Sequence, residues 1–506
     1  MPDAYGELPA PPAPTRIALF WPAGLAQVGV AMFEPLGGYV DGRWIPSTPH
    51  GTFDVRNPAT GERLATLPVM TADETLAAVA AAERAWQSPA TPDERRAWLL
   101  GIHERMLAHR DTLARTITLE NGKPLREALV EVEYAASFFH FFAGQLHRLE
   151  PEFLPGAPPV RQWTVHHRPA GVVGLITPWN FPLAMLAKKA AALAAGCAAV
   201  LKPAPVTPLS AIALTHLAAD AGVPPGRWNL LLGPPAPIGE VLCRHPAVRL
   251  ISFTGSTAVG RQLLAQCAPH VKRLALELGG HAPFLVFDDA DLSAAVDALM
   301  ANKFRAGGQT CICANRVYVH RAVAEPFIAA VAERVARLRV GNGLDPQTDL
   351  GPLINRAAFD KVAGHVGDAL ARGARRLVGF DPPRPPHDWG AFYPPTVLVG
   401  VTPEMRVCCE ETFGPVVPIA TFEDEEAVLA AANDTPYGLA AYLFTRDAAR
   451  AERLIPRLRF GHVGWNTGSG PRAHTPFGGV KQSGFGREGG WQGLLEFCET
   501  QLVACG

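Results

Sequence analysis

A chain of 506 residues is too long for one hydrophobic core and long enough for about two or three domains. Hydrophobic residues make up 48 % and charged residues 18 %, which excludes a disordered or fibrous chain. Lys plus Arg (46) against Asp plus Glu (47) leaves a formal charge of −1, so no global field draws nucleic acid or an anionic membrane, and neither is expected as a partner.

No apolar run approaches the roughly 18 to 20 residues of a membrane span. The nine cysteines, at 197, 243, 267, 311, 313, 408, 409, 498 and 505, are an odd set without zinc-ligand spacing. A chain of this size does not need disulfide staples, so the expectation is a reducing cytoplasm and no metal. Residues 1–32 are rich in Pro and Ala and carry neither a signal peptide nor a transit peptide. They read as a disordered N-terminal extension, or as the product of an upstream start codon with Met32 as the real start.

In chain order, Gly38-Tyr39-Val40-Asp41-Gly42-Arg43-Trp44 predicts a hairpin with Asp-Gly at its turn. Thr71-Ala72-Asp73-Glu74 and Thr91-Pro92-Asp93-Glu94 are capping boxes, each opening a helix. From Gly171 the texture changes. Apolar runs at 172–176, 198–202, 228–232, 248–253 and 271–278 alternate with helical stretches at 183–195, 209–221, 238–243 and 258–267. That rhythm is the sequence form of an α/β, doubly wound parallel sheet, which binds ligands at the carboxyl ends of its strands.

A second alternating region starts at Pro283, runs through a strand at 315–320 and a helix at 322–338, and reaches about residue 475. The Pro-rich stretch 381–387 reads as a surface loop. Phe477-Gly478-Gly479-Val480-Lys481-Gln482-Ser483-Gly484-Phe485-Gly486-Arg487-Glu488 is too polar for core and too specific for a linker.

Cys311 follows Gly307-Gly308-Gln309-Thr310, a chain that can turn sharply and project a thiol into a cleft. A lone cysteine is more often an inert core filler. Its company decides otherwise. Thr177-Pro178-Trp179-Asn180-Phe181-Pro182, Lys202-Pro203-Ala204, Phe253-Thr254-Gly255-Ser256-Thr257-Ala258-Val259-Gly260, Leu276-Glu277-Leu278-Gly279-Gly280, Gly308-Gln309-Thr310-Cys311, Glu410-Glu411-Thr412-Phe413-Gly414-Pro415 and Pro476-Phe477-Gly478-Gly479 stand in one order. With them the chain resembles the aldehyde dehydrogenase superfamily from about residue 33 to the C-terminus. Gly280-His281-Ala282-Pro283-Phe284 and Cys311-Ile312-Cys313-Ala314-Asn315 make it most similar to the succinate-semialdehyde dehydrogenases.

The resemblance implies a Rossmann-type dinucleotide-binding domain (33–149 and 171–279) and a second α/β catalytic domain (280–489). Bridging segments (150–170 and 490–506) would build a homodimer or homotetramer. It also implies oxidation of a small-molecule aldehyde through a Cys311 thiohemiacetal and thioester, with hydride transfer to NAD(P). Asn180 would stabilise the oxyanion and Glu277 would activate the hydrolytic water. Singly, Asn180 would read as a turn residue, Glu277 as the polar side of an edge strand and Lys202 as a solvated strand end; the joint pattern overrides all three.

For the cofactor, the strand at 248–253 turns at Thr254-Gly255-Ser256 into a helix whose N-terminus suits a pyrophosphate. The resemblance adds Thr177, Trp179, Lys202, Ser256, Glu411 and Phe413 around the dinucleotide. Pro205 stands where many NAD-specific relatives carry a ribose-binding glutamate, which removes a barrier to NADP. For an ω-carboxy substrate, the resemblance matches Arg305 and Lys188 to the family's substrate arginines, with Arg472 as an added cation near a lost serine. Cys313 is a possible redox partner for Cys311. The alternatives are a broad-specificity or uncharged-aldehyde dehydrogenase, a CoA-acylating enzyme, which generally lacks the glutamate at Glu277, and a non-catalytic binding protein.

Overall fold

The computed structural model describes residues 33–506; the N-terminal extension expected at 1–32 lies outside the described residues. Two β-sheets dominate it. The first runs in the order Gly484–Phe485, Arg273–Glu277, Val248–Thr254, Val172–Ile176, Ala198–Lys202, Trp228–Leu230, Gly38–Val40, Arg43–Ile45. Its middle strands pair in parallel, and Val172–Ile176 and Ala198–Lys202 are buried almost throughout, as continuous apolar runs require when helices cover both faces.

The hairpin at the sheet's far edge turns at Asp41 (φ 51°) and Gly42 (φ 79°), the paired left-handed angles that match strand twist and that Asp-Gly tolerates. Both capping boxes form. The Thr91 N–H donates to Glu94 Oε2 at 2.7 Å while the Glu94 N–H donates back to Thr91 Oγ1 at 3.2 Å, and the Thr71 N–H donates to Glu74 Oε2 at 2.8 Å.

The second sheet has the order Arg375–Val378, Thr396–Val399, Val416–Phe422, Ala314–His320, Ala282–Val286, Ala440–Phe444, His462–Trp465, parallel except at Arg375–Val378. The glycine-dense stretch grouped with this region in the sequence returns to the first sheet instead. Gly484–Phe485 pairs antiparallel with Arg273–Glu277, setting Gly484 opposite Glu277. A third sheet joins the hairpin Glu152–Pro155 and Gln162–Pro169 to the C-terminal strand Cys498–Cys505, and Phe153, Leu154, Leu502 and Val503 stand exposed on it.

The two main sheets meet where Val248–Thr254 and Arg273–Glu277 end and the second region begins. Contact there is close: a Cβ on Gly280 would lie 2.2 Å from the Cys311 carbonyl oxygen, so the nucleophile loop rests directly on the backbone that leaves the first sheet. Among the described residues no helix is long and apolar enough to cross a membrane.

Candidate active site

Strand ends of the first sheet and loops of the second line one cleft. Trp179 and Asn180 come from the turn after Val172–Ile176, Met185 from the short helix Ala184–Ala187, Thr254, Gly255 and Ser256 from the end of Val248–Thr254, and Glu277 from the end of Arg273–Glu277. Cys311, Lys361, Glu411 and Phe413 close it from the other side.

The loop that delivers Cys311 is left-handed at Ala306 (φ 50°), Gly307 (φ 63°) and Gly308 (φ 76°). A non-glycine residue such as Ala306 takes that region at a cost, and such strain gathers at functional sites. Tyr442 Oη donates to the Ile312 carbonyl at 2.8 Å and Asn302 Oδ1 accepts the Ala314 N–H at 2.8 Å, so the chain just after Cys311 is pinned. Desolvation holds the Cys311 thiol well above its usual range, with Glu277 adding to the rise and Lys188 opposing it.

Glu277 is 3 % exposed, and neither carboxyl oxygen has a partner in the protein. Burial pushes it up to about 7, Lys188 pulls it back, and Glu488 adds to the rise. A buried acid with idle oxygens, facing a thiol in a cleft, has the properties of a proton acceptor poised near neutrality.

Asn180 is buried, and its Nδ2 donates to the Gln309 carbonyl at 3.0 Å. A support lies beneath it. Lys123 Nζ donates to the Asn180 carbonyl at 2.8 Å and pairs with Glu131 Oε2 at 2.5 Å, while Glu131 Oε1 accepts the N–H groups of Leu183 (3.1 Å) and Ala184 (3.2 Å).

On the side facing the helix Thr257–Cys267, Ser256 is the exposed N-cap, its Oγ accepting from the Val259 N–H at 3.4 Å. Trp179 and Phe413 meet edge to face at 5.7 Å, and Phe413 holds φ 59° to do so. Glu411 Oε1 accepts the Gly280 N–H at 3.0 Å, and desolvation pushes its carboxyl up to about 7.

Other expected residues are not among those lining this cleft. Lys202 is buried rather than solvated, donates to the Pro203 carbonyl at 2.6 Å, and is lowered to about 7 by burial. Thr177 is buried with no partner for its hydroxyl, and its N–H donates to the Lys202 carbonyl at 3.1 Å. Lys188 is buried 3.2 Å from Glu488 Oε2, whereas Arg305 and Arg472 are exposed, Arg305 with its guanidinium 5.2 Å over the Phe181 ring. Cys313 is fully buried with Sγ toward the Lys303 carbonyl at 3.5 Å.

Reading the sequence missed Lys123, Glu131, Lys189, Glu488 and the cleft-lining Lys361. The adjacent pair Lys188-Lys189 in an otherwise apolar helix was a visible signal; the others look like ordinary charged positions until folding buries them.

Fold and cleft together define the class: a two-sheet α/β enzyme in which a thiol, a carboxyl and a side-chain amide converge beside a helix N-terminus. Residues 44–503 match the model of the aldehyde dehydrogenase family, and the chain belongs to that family. Over 472 residues it is 47 % identical to a succinate-semialdehyde dehydrogenase, NADP(+), of Escherichia coli (strain K12), with 92 % of this chain and 97 % of that one covered. It is 45 % identical over 472 residues to a glutarate-semialdehyde dehydrogenase of Pseudomonas aeruginosa, again covering 92 % and 97 %. The crystal structure of succinate-semialdehyde dehydrogenase from Burkholderia pseudomallei superposes with a TM-score of 0.90 at 48 % identity, covering 92 % of this chain and 97 % of that one. The protein is therefore an oxidoreductase that converts an aldehyde to the acid.

Proposed function

We propose that this protein oxidises a short ω-carboxy aldehyde, succinate semialdehyde or a close relative such as glutarate semialdehyde, to the dicarboxylic acid with NAD(P). The observation that carries this reading is the convergence of Cys311, Glu277 and Asn180 on one cleft. The semialdehyde relatives and the exposed Arg305 on the nucleophile loop support the substrate class.

In this reading Cys311 Sγ bonds to the aldehyde carbon as its proton passes to Glu277, whose idle oxygens can accept it. The carbonyl oxygen, now negative, takes hydrogen bonds from the Cys311 N–H and from the Asn180 amide. A nicotinamide bound in the cleft supplies the acceptor for the hydride that leaves the same carbon. The acyl group then sits on Cys311 as a thioester. Glu277 releases the thiol's proton to solvent and then takes one from water as the water oxygen bonds to the acyl carbon; the C–S bond breaks, the acid leaves, and the Cys311 thiolate takes up the proton that Glu277 holds. The presence of Glu277 favours water over CoA as acyl acceptor, and retention of all three groups argues against a non-catalytic protein.

The cleft's residues suit a dinucleotide. The helix N-terminus at Ser256 offers N–H groups to a pyrophosphate, the Trp179–Phe413 pair gives an apolar wall, and Glu411, held by Gly280, is an acceptor for ribose hydroxyls. Thr177 and the buried Lys202 flank this region. Pro205 places no carboxylate against a 2′-phosphate, which supports use of NADP alongside NAD. The exposed apolar residues on the third sheet support its use as a bridge between subunits of a homodimer or homotetramer, and nine free thiols support a cytoplasmic location. The two main sheets support a division into a cofactor domain and a catalytic domain, with Gly484–Phe485 going to the first sheet and not to the second.

The test is the initial rate with succinate semialdehyde, glutarate semialdehyde and an uncharged aldehyde of similar length, each with NAD and with NADP. Preference for the carboxylated substrates that collapses in Arg305→Ala, with all activity lost in Cys311→Ala, supports the proposal. Equal rates with the uncharged aldehyde would remove the substrate assignment and leave a broad-specificity enzyme.

A further inference from the structure

Behind Glu277 lies a buried charge group that the mechanism above leaves unused. Lys188 and Lys189 occupy the tight 3-10 turn Lys188–Ala190 within the helical segment after Asn180, and both are buried. Glu488 answers both. Its Oε1 takes the Lys189 ammonium and, at 3.0 Å, the Thr254 hydroxyl, and its Oε2 lies 3.2 Å from Lys188 Nζ. Thr254 is the cross-strand neighbour of Glu277, which brings this group up against the strand end that carries the carboxyl.

The charges do not balance. Two ammonium ions face one carboxylate, and an uncompensated charge is costly away from water. The acid left to answer it is Glu277, whose oxygens have no other partner. The groups bearing on Glu277 are Cys311 from the nucleophile loop, Lys188 and Lys189 from the helical segment, Glu488 from the C-terminal region, and Glu411. Tyr134, from the helix Leu125–Gly144, faces Lys188.

The Lys188 ammonium is already engaged. Its side chain is 3 % exposed, with the Phe477 ring 4.7 Å from the ammonium in addition to the ion pair. Arg305 is exposed, and among the described residues no carboxylate lies within ion-pair distance of it.

We propose that Lys188 is a positioning residue for hydrolysis: tethered by Glu488, it fixes a positive charge behind Glu277 that keeps this carboxylate able to take a proton from water, and recognition of the substrate's own carboxylate falls to Arg305. The proposal rests on the reading of Glu277 as the base.

The experiment titrates the Glu277 carboxyl in the free full-length protein by infrared difference spectroscopy, its band identified by loss in Glu277→Gln, alongside kcat and KM pH profiles. In Lys188→Met the titration and the acidic limb of kcat both move up by about one pH unit, with charged and uncharged aldehydes alike. Lys188→Arg restores both, and the ratio of KM values between the two substrates stays at the wild-type value. An unmoved titration overturns the proposal alone, as does a tenfold rise in KM confined to the carboxylated substrate. A titration that moves while the kcat limb stays overturns the role of Glu277 as base, and this proposal with it. Should Lys188→Met fail to fold, Glu488→Gln supplies the opposite sign: with both lysines left, the Glu277 titration moves down, and an unmoved band overturns the proposal.

Discussion

The Asn180 amide donates to the Gln309 carbonyl at 3.0 Å, fastening the turn after the strand Val172–Ile176 to the loop that carries Cys311. A primary amide has two N–H groups, so one can hold the loop while the other remains for an oxyanion. Asn180→Ala therefore loses both, and kcat falls by about 100- to 1000-fold, the usual effect of removing one oxyanion donor. Asn180→Asp is worse still, because a carboxylate can only repel the Gln309 carbonyl and the developing oxyanion. Steady-state rates of the two variants decide it; equal activity in Asn180→Asp would remove the donor role.

Glu277 sets the pH dependence. Its carboxyl is raised to about 7, chiefly by burial, and it works as a base only when ionised, above that value. Acyl-enzyme hydrolysis should rise as pH increases through about 7 and be largely lost below it. In Glu277→Gln this limb disappears, the steady-state rate falls by about 100- to 10,000-fold, and a burst of reduced cofactor equal to the enzyme concentration remains if acylation survives. Rapid-mixing traces across pH separate the two phases.

The support under Asn180 carries a stability prediction. Lys123 and Glu131 are each 1 % exposed in their side chains. Removing one partner leaves the other charge buried and alone, so Lys123→Met should cost about 3 to 5 kcal/mol and lower the denaturant midpoint. Lys123→Met combined with Glu131→Gln removes the orphaned charge and should recover part of that loss. Failure of the second change to recover any stability would mean that the Glu131 bonds to Leu183 and Ala184, not its charge, are what count.

These contrasts mark what the chain spells out and what it hides. The strands at 172–176 and 198–202 are legible because parallel strands buried on both faces need unbroken apolar runs, and the capping boxes because both partners sit in one turn. Cys311, Glu277, Asn180, Glu411 and Phe413 are legible as members of an ordered set of motifs. Lys123 with Glu131, and Lys189 with Glu488, are not, since their partners are distant in sequence and a charged residue normally signals solvent. The return of Gly484–Phe485 to the first sheet is hidden for a similar reason: two residues show no alternation, and the pairing is fixed by tertiary contact.

The glycines before Cys311 provide a last, graded prediction. Gly307 and Gly308 are both left-handed, at φ 63° and 76°, so alanine strains either by about 1 kcal/mol. Their surroundings differ. A Cβ on Gly307 would have its nearest neighbour, the Gln309 amide nitrogen, at 3.7 Å, while one on Gly308 would lie 2.2 Å from the Gly414 carbonyl oxygen. Gly414 is backbone in the segment that carries Glu411 and Phe413, so a methyl on Gly308 must push either that segment or the nucleophile loop. Gly307→Ala should stay within about tenfold of wild-type kcat, matching strain alone, whereas Gly308→Ala should lose 100-fold or more as the reacting groups fall out of alignment. Cys311 alkylation by iodoacetamide, measured beside kcat, locates the damage. A changed alkylation rate in Gly308→Ala means that the nucleophile loop has moved, and an unchanged rate with lost activity means that the Glu411–Phe413 wall has moved instead. Equal losses in both variants would show that backbone angle, and not the close approach to Gly414, is what the glycine pair is there to permit.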